Sequence, residues 1–551
     1  MLASAVCVEA ASGLFYAFSL YSQPLATRYN LKPAQIDLIG TAGNLGGNLL
    51  MHVGLLYQNC GPKTILFLSM GIGISAWLLL FGAMTNFFVP YALLLLIGFL
   101  QGQAQAMNDC AILPFSIAVF PEHRGRVSAL CKSLLGLSGA LNVQIYMGAF
   151  QSSPQGPFNT SFFLFIATEW LTITALGIFT LTGASTRPLQ GQGKDRIARS
   201  RRYLDFALVA VVLLATLILI ADLIPRNAVA TKTLTSVSML VFGGIALFLM
   251  SRRDGPVQLR RPIIGEPLLL EAGEASDKKA AQRDGARRVD TAFEGATAGE
   301  QGQQGTAIIS SSSSSSKMGI QSDTPVSKVE EEDGPSCETK STLFRALFSL
   351  DYLTILIVTF SLGGSGLMLI NNLKPLAEMR GCSALGAQLV SIISASNCMG
   401  RLASGMISDI LLRRYAMPRP FALAFASAQM VFAMLVLHLK GNMALIIACL
   451  VGGSAFGGMN SLLPAICSEV FGLKLLGLMY PFIPVGMAIG SFTLATLLAS
   501  KMLPASPAFS GTFHALLFVY AGCCLVSVFA MCIMAVRSRK TYARLAAETN
   551  G

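Results

Sequence analysis

Gly405-Met-Ile-Ser-Asp409-Ile-Leu-Leu-Arg413-Arg414 follows a long apolar run and shares its pattern with an earlier stretch, Gly54-Leu-Leu-Tyr-Gln58-Asn-Cys-Gly61-Pro-Lys63. The later stretch carries an acid, Asp409, at the place where the earlier one has Gln58. A motif that recurs at equivalent places in two halves of a chain indicates a duplicated helical bundle. The fourth apolar run of each half supports this, because both contain a Met-Asn pair, at Asn108 and Asn460.

The composition places most of the chain in lipid. Of its 551 residues, 53% are hydrophobic and 12% are charged. A soluble domain carries about 25% charged residues, so this chain lacks the polar surface that water requires. We therefore expect an all-α integral membrane protein, with the bilayer as its solvent.

Apolar runs of roughly 20 residues, each long enough to cross the bilayer, predict about fourteen spans. We expect two pseudo-symmetric six-helix bundles and two extra transmembrane helices. The polar stretch between the halves has a serine run and too little apolar surface to fold. The predicted boundaries are 1–183 for the N-terminal bundle, 184–250 for a basic linker and the extra helices, 251–342 for a disordered cytoplasmic loop, 343–537 for the C-terminal bundle and 538–551 for a cytoplasmic tail.

The basic residues indicate orientation. The formal net charge is +12, and Lys and Arg collect in the loops on one side of the predicted spans. Such a bias marks the cytoplasmic side, so we expect both termini and the central loop there. We expect no nucleic-acid partner, because these cations lie between apolar runs and form no patch on a soluble fold.

The paired stretches resemble the signature of the major facilitator superfamily. Further stretches, including Asn44-Leu-Gly-Gly-Asn48, Phe120-Pro-Glu-His-Arg124-Gly-Arg-Val and Gly400-Arg-Leu-Ala-Ser-Gly405, are similar to the plant nodulin-like branch with its fusion-defective-type membrane proteins. In the superfamily the motif acid clasps a neighbouring helix end on the cytoplasmic side and latches the outward-facing state. The resemblance therefore implies gating residues, namely Gly54, Gln58, Gly61, Lys63, Gly405, Asp409, Arg413 and Arg414.

Monocarboxylate transporters are the nearest rival family. They carry an Asp four residues before an Arg on the eighth helix and a Lys on the first. Here Arg401 is preceded by Asn397, and the first span has no Lys. Proton–carboxylate symport by that family's mechanism is therefore in doubt.

Helices one, four, seven and ten line the cavity in the superfamily, and the eighth carries Arg401. This resemblance, together with the polar residues within spans, implies a set of cavity candidates in this chain. They are Tyr16, Tyr21, Gln101, Gln105, Asn108, Asp109, Ser365, Asn397, Arg401 and Asn460. Polar groups inside spans usually face the bundle interior or a cavity. Most of these are uncharged amides and hydroxyls, which favours a polar solute; each could equally bond neighbouring helices.

Two charged residues within spans leave alternatives open, and a third is a weaker candidate. Asp109 is the best candidate for a protonatable coupling group, or else it is an acid bonded to a neighbouring helix. Arg401 either binds an anion or has a structural role, extending its head toward water or pairing with Asp409. Glu9 is a weaker candidate, because it lies near the cytoplasmic end of the first span, where we expect water to reach it.

The sequence predicts a secondary transporter that moves a small polar solute or organic anion by alternating access. A proton is a candidate coupling ion, and we expect a monomer. The alternative is a non-transporting membrane receptor or organiser that kept the fold. No phosphate-binding loop, nucleophile elbow or metal-binding helix is present in the sequence, so we expect no enzyme, no catalytic residue, no cofactor and no metal.

Overall fold

The computed structural model describes residues 2–13, 18–151, 157–182, 194–223, 237–238, 241–244, 343–381, 386–502 and 511–550. The central loop predicted over 251–342 and most of the second extra span lie outside the described residues. The helices of both halves belong to one compact unit.

The first half is built of long helices with short connections. Its helices are α1 (Leu2–Ser12), α2 (Phe18–Tyr29), α3 (Pro33–Asn48), α4 (Met51–Thr85), α5 (Tyr91–Val119), α6 (Arg124–Ile145), α7 (Ser161–Thr182) and α8 (Lys194–Leu223). The first predicted span corresponds to α1 and α2 together, and α8 is the first of the two predicted extra helices.

The second half repeats this pattern with more interruptions. Its helices are α9 (Leu350–Val358), α10 (Gly364–Asn371), α11 (Leu373–Met379), α12 (Gly386–Tyr415), α13 (Arg419–Val436), α14 (Asn442–Val470), α15 (Gly472–Met479), α16 (Pro484–Gly490), α17 (Ala499–Met502) and α18 (Gly511–Asn550). A π-helical segment, Thr359–Gly363, joins α9 to α10. The seventh span therefore departs from α-helical geometry beside its glycines, at Gly363 and Gly364.

Seven helical stretches of the described chain are long and apolar enough to cross a membrane by length and composition. They are Leu38–Thr85, Ser161–Leu181, Leu350–Asn371, Arg419–Val436, Asn442–Val470, Gly472–Leu498 and Thr512–Ala547. Several of these stretches have large apolar side chains on the surface, such as Phe179 with 76% exposure and Phe425 with 67%. Apolar surface of this kind is what lipid solvates. The total of about fourteen spans stays a prediction.

Both paired motifs lie on helical residues. The first lies within α4, which changes direction at Gly61, where the backbone has φ 74° and ψ 173°. The second lies in the last turns of α12, which continues to Tyr415. The helical extension keeps Asp409 on a rigid element, which fixes the direction of its carboxylate.

Small residues allow the helices to pack closely. A Cβ atom added to Gly102 of α5 would lie 2.0 Å from the carbonyl oxygen of Gly43 on α3. A Cβ added to Gly46 of α3 would lie 2.1 Å from the carbonyl oxygen of Phe99. In lipid there is no hydrophobic force between helices, so such backbone contact is a main source of packing energy.

The variant Gly102→Ala tests this packing. The added methyl must push α3 and α5 apart, and overpacking of this kind costs about 1–3 kcal/mol. We expect a lower midpoint of thermal unfolding, measured in detergent by loss of the monodisperse chromatography peak. Gly71→Ala is the matched control, because a Cβ at Gly71 meets no atom within 4 Å. Equal midpoints for the two variants would contradict the close α3–α5 contact.

Candidate functional site

A buried carboxylate joins the two halves of the protein. Asp409 on α12 accepts hydrogen bonds from the backbone N–H groups of Gly125 at 3.2 Å and Arg126 at 3.1 Å. These are among the first residues of α6, and the first N–H groups of a helix have no partner within the helix. The carboxylate therefore satisfies free donors at the positive end of the α6 dipole. The Asp409 side chain is 1% exposed.

Two arginines complete the surroundings of this carboxylate. The Arg126 guanidinium lies 3.1 Å from one Asp409 oxygen, and the Arg419 guanidinium lies 2.7 Å from the other. Arg419 also pairs with Glu469 at 2.7 Å and donates to the Ser408 hydroxyl at 2.7 Å. The ion-pair cluster around Asp409 thus connects α6 of the first half with α12, α13 and α14 of the second. We use the term gate for Asp409, Arg126, Arg419 and Glu469, together with the residues bonded to them.

Further hydrogen bonds cross between the halves beside the gate. Arg124 donates to the Ser468 carbonyl at 3.0 Å and to its hydroxyl at 3.2 Å. Arg413 donates to the Glu122 carbonyl and lies 3.0 Å from the Nδ1 atom of His123. All of these donors carry fixed charge, and charge-assisted bonds are roughly twice as strong as neutral ones. The halves are held together at this end of the molecule.

Two glycines permit the approach of the helices at the gate. A Cβ added to Gly405 would lie 2.5 Å from the Gly125 carbonyl oxygen, and one added to Gly125 would lie 2.4 Å from the Asp409 Oδ1 atom. A side chain at either position would therefore separate α6 from α12. The motif glycine at 405 is explained by this close contact.

The first copy of the motif behaves differently. Gly54 packs against the second half, where an added Cβ would lie 2.5 Å from the Leu478 carbonyl oxygen. Gln58 and Lys63 are exposed, and Gly61 marks the turn in α4. On the second copy Arg414 is also exposed and lies over its neighbour Tyr415. The structure therefore gathers Gly405, Asp409 and Arg413 at the gate, whereas Gln58 and Lys63 lie exposed on α4.

A second charged cluster lies deeper between the halves. The Lys132 ammonium on α6 contacts both Asp109 oxygens at 2.6 Å. The Tyr480 hydroxyl, which follows α15 in the second half, donates to Asp109 at 2.7 Å. Glu9 interacts electrostatically with Asp109 and Lys132. The expectation that water reaches Glu9 is wrong: it is 0% exposed, because α5, α6 and α7 pack around α1.

Arg401 is buried and tied to the first half. Its Nε donates to the Asn397 Oδ1 atom at 3.0 Å, and its Nη1 donates to the Lys132 carbonyl. A Cβ added to Gly136 of α6 would lie 2.9 Å from the same guanidinium. Arg401 does not form the suggested ion pair with Asp409. The guanidinium groups that bind Asp409 belong to Arg126 and Arg419. The Arg401 Nε group donates to Asn397, which occupies the position where the monocarboxylate transporters have an acid.

The remaining cavity candidates do not form one site, because each has different neighbours. The Tyr21 hydroxyl donates to Gln101 at 3.3 Å, Ser365 contacts the Cys524 sulfur at 3.4 Å, and Asn460 donates to its own helix at 2.9 Å. The Gln105 Nε2 atom and both amide atoms of Asn108 are buried without a hydrogen-bond partner among the described residues. Tyr16 lies outside the described residues. No group of three or more metal-binding side chains occurs in the part of the chain that the structure describes.

Several residues of both clusters were not selected from the sequence. Arg126 and Arg419 are among the loop cations, and the bias of such cations toward the cytoplasmic side already explains their presence. Glu469 lies next to the end of a predicted span. Lys132 gave a clearer signal, because an ammonium inside an apolar run is costly and points to a buried partner. Tyr480 gave none, since only the packing of the halves brings it to Asp109.

Comparisons with known proteins agree with this architecture. A family model described as Nodulin-like matches residues 1–252, and one described as the NFD4 C-terminal domain matches residues 339–543. The protein Nuclear Fusion Defective 4 of Arabidopsis thaliana is 23% identical over 517 residues, which cover 91% of this chain and 79% of that protein.

A solved transporter structure shares this fold. The proton:xylose symporter XylE of the major facilitator superfamily superposes with a TM-score of 0.52 at 10% identity, covering 96% of this chain and 94% of that one. The transporter FucP, crystallised in the outward conformation, gives a TM-score of 0.48 at 13% identity, covering 98% and 97% of the two chains. The first half of the chain thus matches the Nodulin-like model and the second half the NFD4 C-terminal model, on a helical fold like that of the major facilitator transporter XylE.

Proposed function

We propose that this protein is a secondary transporter that carries a small polar solute or organic anion across the membrane by alternating access. In this proposal the described structure is the state in which the gate is closed. The observation that carries the proposal is the Asp409 carboxylate, which is held by the α6 backbone and by arginines from both halves. Such a contact joins two bodies that must separate when the site opens to that side.

The energetics of the gate suit a reversible contact. Removing one partner of a buried ion pair costs about 3–5 kcal/mol, because the other charge stays buried and unpaired. When the halves separate, however, water enters and solvates every charge of the cluster at once. The net cost of opening is therefore much smaller than the cost of losing a single partner. A cluster of charges can close a gate tightly and still open it.

The deeper cluster is the proposed coupling site, with a proton as the coupling ion. Asp109 and Lys132 belong to the first half, whereas Tyr480 belongs to the second. Protonation of Asp109 would remove the charge that holds Lys132 and weaken the bond from Tyr480. The bond across the halves would then depend on the proton, which is the requirement for coupling a proton to the movement of the halves.

Orientation follows from the loop cations. Arg124, Arg413 and Arg419 lie at the gate, and the positive-inside rule places such residues on the cytoplasmic side. The closed gate is then the cytoplasmic gate, and the described state would take up or release solute at the opposite face. The alternative, a receptor or organiser that kept this fold, would bind a solute without carrying it.

Transport is tested in proteoliposomes. A panel of sugars, amino acids and organic acids is first screened by thermal shift on the detergent-purified protein, and each stabilising compound is then assayed as radiolabelled solute. We expect uptake that saturates with concentration and is accelerated by unlabelled solute on the far side. Binding without such exchange would favour a receptor, and flux that never saturates would indicate a channel.

The variant Asp409→Asn tests the gate in the same assay. It keeps the size of the side chain but removes the charge that pairs with Arg126 and Arg419, so the closed state loses about 3 kcal/mol, a shift of roughly 100-fold in its population. We expect net uptake to fall at least about tenfold. The matched control is Asp351→Asn, which removes a carboxylate whose ion-pair partner is the partly exposed Arg537 rather than Arg126 or Arg419. Equal loss in both variants would contradict the assignment.

The variant Asp109→Asn tests the proton. Without an ionisable group at this position, an imposed pH gradient can no longer drive accumulation, whereas exchange of solute across the membrane needs no net proton movement. We therefore expect gradient-driven uptake to be lost and exchange to be kept. Glu169→Gln is the control, since Glu169 is another acid within a span but lies on α7, away from Lys132. Undiminished gradient-driven uptake in Asp109→Asn would exclude Asp109 as the coupling group.

A further inference from the structure

The extra helix α8 packs against both halves of the transporter. Its neighbours are α6 of the first half and α12 of the second. These are the two helices that carry the central contact of the gate, since α6 begins at Arg124 and α12 presents Asp409. The helix that follows the first six-helix bundle in sequence therefore lies along the seam between the halves.

The contact of α8 with the seam is long and continuous. Its buried apolar residues recur at i, i+3, i+4, i+7, i+10, i+11 and i+14, which is the pattern of one face of a helix; they are Leu204, Ala207, Leu208, Val211, Leu214, Ala215 and Ile218, each 4% exposed or less. The opposite face carries Phe206, Val209 and Leu213, which are 54%, 55% and 62% exposed. With a rise of 1.5 Å per residue, the buried face covers roughly 20 Å of the seam.

A polar contact links α8 directly to the gate. The Asp205 carboxylate lies 2.7 Å from the Nε atom of Arg126, and the Nη1 atom of the same arginine lies 3.1 Å from Asp409. One guanidinium thus bonds a carboxylate of α8 at one edge and a carboxylate of α12 at the other. Because guanidinium is planar and its donors form a fixed fork, the bond to Asp205 restricts the direction in which Arg126 can reach Asp409.

We propose that α8 is a brace that stabilises the closed gate, with Asp205 as a positioning residue that acts through Arg126. This inference rests on the alternating access proposed above. Lipid is as apolar as the buried face of α8, so hydrophobic burial alone does not hold the helix at the seam. Close packing and the Asp205–Arg126 bond hold it there. A contact of this kind is strong enough to favour one state and weak enough to be released.

The geometry also indicates which side of the contact breaks. Asp205 bonds Arg126 of α6, and α8 follows α7 in sequence, so both the ion pair and the chain attach α8 to the first half. When the gate opens, α8 stays with α6 and separates from α12.

The experiment measures the gate directly, without any solute. Spin labels are attached to Cys60, an exposed residue of the first half, and to a cysteine that replaces Tyr415, which is 63% exposed on the second half. The other accessible cysteines are replaced by serine, and distances are measured by double electron–electron resonance on the full chain in lipid nanodiscs. The unsubstituted background should show mainly the short distance of the closed gate.

The variant Asp205→Asn should add a population at longer distance, lowering the ratio of closed to open molecules by about tenfold, as loss of one charge-assisted bond implies. Asp205→Glu, which keeps the charge, should restore most of the short distance. Asp351→Asn is the charge control and should leave the distribution unchanged. The double variant Leu208→Ala with Val211→Ala should also favour the open gate, whereas Leu213→Ala on the outer face should not.

A second pair of labels, at Val209→Cys on α8 and Ile407→Cys on α12, follows the brace itself; both positions are exposed. In Asp409→Asn, where the gate is expected to open, this distance should lengthen. Because these measurements need no solute, they stand apart from the transport assay: gate opening without any solute exchange would refute the transport function and leave the brace intact. The brace is overturned if Asp205→Asn and Asp351→Asn give the same distribution, or if α8 and α12 keep their distance while the gate opens.

Discussion

The arrangement of the two halves seen in the structure depends on the contacts of the Asp409 carboxylate. It lies out of water between the two halves, and it is compensated by the unpaired N–H groups at the start of α6 and by two guanidinium groups. A buried charge of this kind is stable only while all its partners are present. The close approach of Gly125 and Gly405, the burial of Glu469 and the positions of Arg124 and Arg413 all follow from bringing those partners within reach.

The charges between the halves form two levels with different chemistry. At the gate every acid is held by fixed guanidinium charge, so the cluster responds to the separation of the halves rather than to protons. In the second cluster the acid Asp109 is held by an ammonium and a phenol, and Glu9 interacts with it electrostatically. Guanidinium stays charged at any physiological pH, whereas carboxylates can take up a proton. In the proposed mechanism this difference gives mechanical closure to the gate and proton response to the cluster around Asp109.

The extra helix α8 gives the second half a contact that a twelve-helix arrangement would lack. Its apolar face extends along the seam, and its single carboxylate at the gate shares Arg126 with Asp409. The first half therefore contributes both the arginine and, in the proposed brace, the residue that orients it. The duplicated motif shows the same asymmetry, because its second copy supplies the acid while its first copy has an exposed Gln58.

The sequence by itself indicated the helical membrane architecture, because lipid imposes long apolar runs that are visible one segment at a time, and its motifs indicated the resemblance to the nodulin-like proteins. It also indicated Asp409, Asp109 and Arg401 as the costly polar residues. Only the tertiary structure decided their partners. Arg126, Arg419, Lys132, Tyr480 and Asp205 come from distant segments, and a cation in a loop looks the same whether it faces solvent or a buried acid. The seam between the halves is formed by packing, and no local pattern records which side chains meet across it.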